Sequence, residues 1–157
     1  MTDHEFAERL VRMRETMYRV SCSQLKNPAD RDDAVQETLV KAWHNRHRLR
    51  EERYMQTWAV RVLINECHNI HRKQKREATL EERAERKATT EPHAELYDAL
   101  FRLGRKLRLP IVLHYIEGYH AHEIAKMLGV PKGTVLWWLS KARKELGLII
   151  KEEEKDV

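Results

Sequence analysis

The side chains of this sequence that could do chemistry are polar and cationic groups repeated at helical intervals. One set recurs at steps of four, three and four residues and so lies along one side of a helix: Arg61, Asn65, His68 and Arg72. The segment from Arg72 to Arg76 closes that helix with four cations. Cations follow a phosphate backbone, and asparagine or an aromatic ring can read or stack on an unpaired base. The pattern predicts a nucleic-acid-binding face, although a solvated basic helix end would have the same composition.

A second pattern, between His122 and Leu146, is typical of a helix-turn-helix. A short helix with a small apolar inner face is followed by Gly129, which allows a tight turn, and by a helix that begins at Pro131. The apolar positions of the second helix are Val135, Leu139, Ala142 and Leu146. A plain helical hairpin would share this packing. The turn spacing and the basic flank favour a second helix that enters the major groove of DNA.

Catalytic and metal-binding patterns are missing from the sequence. There is no serine, histidine and aspartate set and no phosphate-binding loop. The histidine pairs His120/His122 and His68/His71 have neither a nearby cysteine nor a third ligand at zinc spacing. We therefore expect no metal, no cofactor and no enzymatic activity.

The elements that must position the polar side chains are helices. The chain has 157 residues, 41% hydrophobic and 35% charged, with only 5 glycines and 4 prolines, which favours long helices over a sandwich or barrel. Residues 1–76 carry a net charge of +5, residues 77–94 of −2, residues 95–150 of +4 and residues 151–157 of −2. We predict an all-α protein with two small helical domains, 1–76 and 95–150, a flexible linker at 77–94 and an acidic tail at 151–157.

Three helices are predicted in the first domain and four in the second. The first begins with a capping box at Thr2 and Glu5, and its apolar stripe is Phe6, Leu10, Met13 and Met17. The next two run from Pro28 to about residue 44 and from about 54 to 76. In the second domain each helix is expected to end at a glycine, since glycine relieves the strain of a left-handed cap. These helices are 95–103, 108–117, 121–128 and 131–146, followed by Gly104, Gly118, Gly129 and Gly147.

The location of the protein is predicted from what the chain lacks. No apolar stretch follows Met1, and no apolar run approaches about 20 residues, so we expect neither a signal peptide nor membrane insertion. The two cysteines are far apart in the sequence and form no disulfide framework. These features predict a cytoplasmic protein.

Two longer stretches resemble the extracytoplasmic-function (ECF) sigma factors of bacterial RNA polymerase. Residues 30–43 (DRDDAVQETLVKAW) and 54–76 (YMQTWAVRVLINECHNIHRKQKR) are similar to region 2 of that family, and residues 99–146 are similar to region 4. The resemblance implies a three-helix region 2 and a four-helix region 4 that contains the helix-turn-helix. It implies a promoter-directing subunit whose partners are core RNA polymerase, promoter DNA and an anti-sigma factor.

The resemblance also implies which residues make the contacts. Core polymerase is expected to meet Asp33, Gln36, Glu37, Lys41 and Trp43. The −10 element is expected to be opened and held by Arg46, Arg48, Trp58, Arg61, Asn65, His68, Arg72 and Lys73. The loop at 44–54 matches the place where the family captures a flipped-out base. The −35 element is expected to be bound as duplex by Lys132, Thr134, Leu136, Trp137, Trp138, Lys141, Arg143 and Lys144.

The chain departs from the family pattern in the second helix of the helix-turn-helix. Where the family usually continues with Lys-Ser-Arg-Leu, this chain has Leu136-Trp137-Trp138-Leu139. We expect residues 136–138 to point largely outward, so that an apolar and aromatic surface replaces a basic one. Three interpretations stay open: contact with thymine methyl groups or sugars, docking into a partner such as an anti-sigma factor or a second copy, or impaired −35 recognition.

Two other function classes compete with the sigma factor. An ordinary helix-turn-helix repressor would act as a dimer on a palindromic operator, and it assigns no role to residues 30–43. A sigma-like interaction protein would bind polymerase or an anti-sigma factor without reading promoters, and only the residues at 136–138 support it. Binding to core polymerase separates the first rival from the other two readings, and specific transcript starts separate the second.

Overall fold

The computed structural model describes residues 1–77 and 94–155, with side-chain surroundings defined for residues 1–77 and 95–148. All regular structure in these ranges is helical, which confirms the predicted fold class. Backbone contacts divide the chain into two compact units, Met1–Lys87 and Ala88–Val157. Apart from its two end residues, the linker predicted at 77–94 lies outside the described residues.

The first unit contains α1 (Asp3–Arg12), α2 (Arg14–Cys22), α3 (Pro28–His44) and α4 (Met55–Glu77), with short 3-10 turns between α3 and α4. The predicted capping box opens α1: the Thr2 hydroxyl accepts the Glu5 N–H at 3.1 Å, and the Glu5 carboxylate accepts the Thr2 N–H at 3.0 Å. The first predicted helix is divided at Met13 into α1 and α2. Its apolar stripe nevertheless stays on one side and is buried.

The core of the first unit lies between α3 and α4, with α2 packed against both. Fully buried apolar side chains include Met17, Val20, Ala42, Ala59 and Leu63. Arg31 is also buried, at 2% exposed. Its guanidinium donates to the carbonyl oxygens of Leu25 at 2.8 Å and Lys26 at 3.3 Å, so it satisfies the backbone of the turn that leads into α3.

The second unit contains α5 (Ala94–Phe101), α6 (Arg105–Ile111), α7 (Ala121–Leu128) and α8 (Lys132–Lys155). A π-helical turn, Val112–Ile116, continues α6, so that the Glu117 N–H donates to the Val112 carbonyl at 3.1 Å. The core joins α6 and α8, and α5 and α7 pack against α8 from other sides.

The glycines of the second unit only partly follow the prediction. Gly118 and Gly129 have φ of 78° and 66°, as expected of helix-ending glycines. Gly104 has φ −61° and precedes α6 instead of ending α5 in a left-handed cap. The predicted end of the last helix at Gly147 is wrong, because α8 continues to Lys155 through glutamates and lysines that favour helix. The backbone of the predicted acidic tail is therefore helical as far as Lys155.

Candidate nucleic-acid and polymerase interfaces

The polar face of α3 is set by its amphipathic sequence. Asn27 caps the helix, with its side-chain oxygen accepting the Ala29 N–H at 2.9 Å, and Pro28 occupies the first turn. The inner face of the helix, which includes Ala34, Val35, Thr38 and Ala42, is buried. The outer face presents Asp33, Gln36 and Glu37 to solvent. These three residues form an exposed acidic and polar surface of the kind that can pair with a basic partner.

Lys41 of α3 forms an ion pair within the first unit. Its Nζ atom lies 2.5 Å from the Oε1 atom of Glu66 on α4. The Glu66 side chain is 9% exposed and the Lys41 side chain 43%. This hydrogen bond raises the pKa of Lys41, so the lysine is charged at neutral pH. The pair links the helix predicted to bind polymerase to the helix predicted to bind the −10 element.

Trp43 and Trp58 both pack on Phe6 of α1. The ring centroids of Phe6 and Trp43 lie 6.2 Å apart, and those of Phe6 and Trp58 lie 6.1 Å apart. Both indoles are half-buried. The sequence predicts Phe6 only as part of the apolar stripe of its own helix. Only the tertiary structure shows that Phe6 lies between Trp43 and Trp58.

Arg46 is positioned by Trp43 and by α1. Its guanidinium carbon lies 4.0 Å from the Trp43 ring centroid, and its Nε atom lies 3.0 Å from a carboxylate oxygen of Asp3. Beside it, a pocket of about 470 Å³ is lined by Phe6, Arg46, His47, Leu49 and Arg50 among others. This pocket lies between the N-terminal residues and the 44–54 loop, where a flipped-out base was expected, and its lining offers apolar surface, cations and the carboxylates of Asp3 and Glu52.

The polar stripe of α4 lies on the outer side of that helix. Arg61, Asn65 and Arg72 are exposed and His68 is half-buried, while the opposite side, with Ala59, Leu63 and Cys67, is buried. Arg48 and Lys73 are exposed as well. Further along α4, Arg72 donates a hydrogen bond to the side-chain oxygen of Asn69. The structure thus groups the predicted −10 residues of α4 on one accessible face.

The helix-turn-helix consists of α7, the Gly129 turn and α8. The Glu123 carboxylate accepts the His120 N–H at 3.0 Å at the start of α7, and Ile124, Ala125 and Met127 are buried. On α8, Lys132, Lys141, Arg143 and Lys144 are exposed and Thr134 is half-buried. Arg143 donates to the Tyr115 hydroxyl at 2.7 Å, which ties α8 to the π-helical turn. The sequence patterns did not predict this contact of Tyr115 with α8.

The expectation that residues 136–138 point largely outward is wrong for Trp138. Leu136 and Trp137 are 50% and 58% exposed, whereas Trp138 is half-buried against the core of the second unit. That core cluster comprises Leu100, Leu103, Leu107, Ile111, Val112 and Ala142. The reason is spacing, because position 138 lies three residues after Val135 and four before Ala142, at the border of the buried stripe. Trp138 therefore contributes to the packing of α8 against the core of the second unit.

No group of three histidine, cysteine or acidic side chains in the described parts of the chain could hold a metal ion. His120 and His122 stack with ring centroids 5.6 Å apart, without a third candidate ligand among the described residues. Within 1–77 and 94–155, no helix is long and apolar enough to cross a membrane.

Comparison with known proteins defines the class. Residues 9–77 match the family model of Sigma-70 region 2, and residues 93–146 match that of Sigma-70 region 4. Together the two matches cover most of the chain, in the order that sigma factors have them. The chain belongs to the sigma-70 family of bacterial transcription initiation factors, which are not enzymes.

Within that family, the relatives place the chain in the ECF group. The ECF RNA polymerase sigma factor SigM of Mycobacterium tuberculosis (strain H37Rv) is 28% identical over 152 residues, spanning 94% of this chain and 78% of SigM. The RNA polymerase sigma factor SigV of Bacillus subtilis (strain 168) is 27% identical over 159 residues, spanning 98% and 90%. The chain is an ECF RNA polymerase sigma factor, in agreement with the resemblance found in its sequence.

Two solved structures share the fold. One is the sigma factor RpoE of Bartonella quintana in complex with the anti-sigma factor NepR, with a TM-score of 0.81 and 24% identity, covering 94% of this chain and 97% of the other. The other is CnrH in complex with the cytosolic domain of CnrY, with a TM-score of 0.74 and 24% identity, covering 96% and 90%.

Proposed function

We propose that this sigma factor directs core RNA polymerase to promoters through three surfaces. The acidic face of α3, with Asp33, Gln36 and Glu37, binds core polymerase. The exposed face of α4 and the 44–54 loop hold the opened −10 element. The helix-turn-helix binds the −35 element as duplex. We further propose domain limits of 1–76 and 95–150, a role without catalysis by the chain itself, and action in the cytoplasm, where the polymerase works.

The observation that carries this proposal is the opposite charge of two helices packed together. Helices α3 and α4 share one core, yet α3 exposes Asp33 and Glu37 while α4 exposes Arg61, Arg72 and Lys73. A single small unit therefore offers an anionic surface for a protein and a cationic one for nucleic acid. Such a division suits a subunit that bridges polymerase and DNA.

The proposed −10 site combines several kinds of contact. Arg48, Arg61, Arg72 and Lys73 supply charge for the backbone, and Asn65 and His68 supply hydrogen-bonding groups. Trp43 and Trp58 are half-buried on Phe6, so we assign them chiefly to holding the loop and Arg46 in place. Lys41 is assigned to the intramolecular pair with Glu66 in place of a polymerase contact.

An anti-sigma factor is the further partner that we propose. One of the two similar structures is of a sigma factor in complex with an anti-sigma factor, and the other is of CnrH in complex with the cytosolic domain of CnrY. In this chain, Leu136 and Trp137 are exposed apolar residues and α3 has an exposed acidic face. Occupation of either surface by a regulator would compete with polymerase or DNA.

The test is reconstitution with sigma-free core polymerase, followed by sequencing of transcripts from genomic DNA. We expect specific starts that share one −35 and −10 pair. Asp33→Lys with Glu37→Lys should abolish core binding, whereas Glu8→Lys, a single charge reversal at an exposed position of α1, should not. Core binding without specific starts would favour the interaction protein. No core binding, with dimeric binding to a palindrome, would favour the repressor.

A second pair of variants tests the −10 surface. Arg61→Ala with Arg72→Ala should retain core binding and weaken opening of the −10 element, read by permanganate reactivity of unpaired thymines. Arg12→Ala, which removes an exposed cation of α1, is the matched control. Equal opening by the double variant and the control would exclude the α4 face as the −10 site.

A further inference from the structure

The recognition helix carries two apolar side chains where contact with base edges is made. Leu136 and Trp137 are the fifth and sixth residues of α8, which begins at Lys132. They are 50% and 58% exposed, so about half of each side chain is open to solvent. In helix-turn-helix proteins, the N-terminal residues of the second helix contact base edges in the major groove. The side chains nearest the bases are thus the ones that departed from the family pattern.

The surroundings of these two residues are cationic. From Lys132 to Leu148 the sequence has four cations and a single carboxylate, Glu145. All four cations are exposed, while Glu145 is half-buried. An apolar centre bordered by positive charge complements duplex DNA, in which the base edges lie between two rows of phosphates. Charge complementarity therefore favours DNA as the occupant over a second copy of this basic helix, which would place like charges together.

The chemistry of the two side chains restricts what they can read. Leu136 has no polar atom, so it cannot form a hydrogen bond with a base. The apolar group on the major-groove edges of the four bases is the C5-methyl group of thymine. Trp137 adds a flat apolar surface, and the Nζ atom of Lys141 lies 5.0 Å from its ring centroid. The Trp137 ring and the Lys141 ammonium group thus lie side by side, so that the ring can contact base edges while the ammonium group contacts a phosphate.

The helix that presents them is well supported. Val135, Leu139 and Ala142 are buried on its inner side, and Trp138 packs against the core of α5 and α6. The Arg143 to Tyr115 hydrogen bond adds a link to the π-helical turn. The backbone that carries Leu136 and Trp137 is consequently held in place before DNA binds, which lowers the ordering cost of an apolar contact.

We propose that Leu136 and Trp137 make this sigma factor recognise thymine methyl groups in the −35 element, so that its −35 specificity is apolar. The proposal rests on the −35 role proposed for α8. It predicts thymines, on either strand, at the positions next to these two side chains. It also predicts that 5-methylcytosine can replace thymine in providing the methyl contact, wherever the changed base pair is otherwise tolerated.

The test removes methyl groups and nothing else. The holoenzyme, formed from the full chain and core polymerase, first selects duplexes randomised at −35 upstream of a constant −10 element. Each selected thymine is then replaced by deoxyuridine, which keeps the hydrogen bonds and charge of the base pair. We expect about a fourfold loss of affinity for each methyl group in contact. Leu136→Ser should remove the discrimination between thymine and deoxyuridine at its position.

Leu148→Ser is the matched control, because Leu148 is another exposed leucine of α8, at 56% exposed, but lies far from the start of the helix. It should retain the discrimination. Equal affinity for thymine and deoxyuridine at every position would overturn the methyl proposal while leaving −35 binding intact. No enrichment of any −35 sequence would instead contradict the proposed −35 function itself. Self-association that Leu136→Ser abolishes, with DNA affinity unchanged, would assign the two side chains to a second copy.

Discussion

Replacing Glu66 by glutamine separates two possible roles of Lys41. The resemblance to ECF sigma factors placed Lys41 among the polymerase contacts, whereas the structure pairs its ammonium with Glu66 at 2.5 Å. Glu66→Gln removes the negative charge of the pair but leaves Lys41 in place. Lys41→Met removes the lysine itself. If the pair serves to hold α3 on α4, both substitutions act on the stability of the first unit.

The expected magnitudes follow from burial. A hydrogen bond to a charged group contributes about 1.5–3 kcal/mol, but the Lys41 side chain is 43% exposed, so the pair is expected to contribute about 1 kcal/mol. Lys41→Met should cost about 2 kcal/mol, because the 9% exposed Glu66 side chain loses its partner. The pKa of Lys41 is raised. The contribution is therefore complete at neutral pH and is lost only as the pH rises through that raised value.

Hydrogen exchange of the full chain is the suitable assay, because both units contain two tryptophans and fluorescence would mix them. Peptides from α3 and α4 should exchange about fivefold faster in Glu66→Gln and more than tenfold faster in Lys41→Met. Peptides of α7 and α8 serve as an internal reference. The reasoning is refuted if Lys41→Met weakens core polymerase binding while Glu66→Gln leaves both that binding and the exchange rates unchanged.

Four further predictions concern individual residues. Burial raises the pKa of the Cys67 thiol to about 12, so native protein at pH 8 should be alkylated there only as fast as it unfolds, as followed by mass spectrometry; rapid alkylation would contradict its burial. Arg31→Met should destabilise the first unit by about 2–4 kcal/mol, since two backbone carbonyls lose a charged donor, and a smaller change in urea denaturation would show that water replaces it. Gly129→Ala should cost about 1–2 kcal/mol because φ there is +66°. Gly147→Ala should stabilise α8 by about 0.5–1 kcal/mol, and both changes are read as shifts in Tm.

Features that depend on neighbours along the chain were predicted well. The capping box at Thr2 and the bounds of α3 and α7 agree with the structure, because they depend on contacts within about four residues. The left-handed glycine at 129 belongs to the same group. The predicted end of α8 at Gly147 is wrong for a local reason as well. The helix-forming residues on both sides of this glycine outweigh its own tendency to end a helix.

Features that depend on packing could not be predicted in the same way. Lys41 and Glu66 lie on different helices, so only the approach of α3 to α4 shows that they pair. Trp138 lies on the border of an apolar stripe, and the breadth of that stripe depends on how far α5 and α6 cover it.

The sequence by itself determined the helical class, the order of the two sigma regions and the polar faces of α3 and α4. Periodicity and caps are sufficient for the helical class and the polar faces because they act within a helix, whereas the order of the two regions is implied by the resemblance to ECF sigma factors. Only the tertiary structure decided which residues of those faces stay available to partners. It left Asp33, Glu37, Leu136 and Trp137 exposed and turned Lys41 and Trp138 towards the protein itself. The physical reason is that a long side chain at the edge of a face is satisfied by its nearest packed neighbour, and that neighbour is set by the fold.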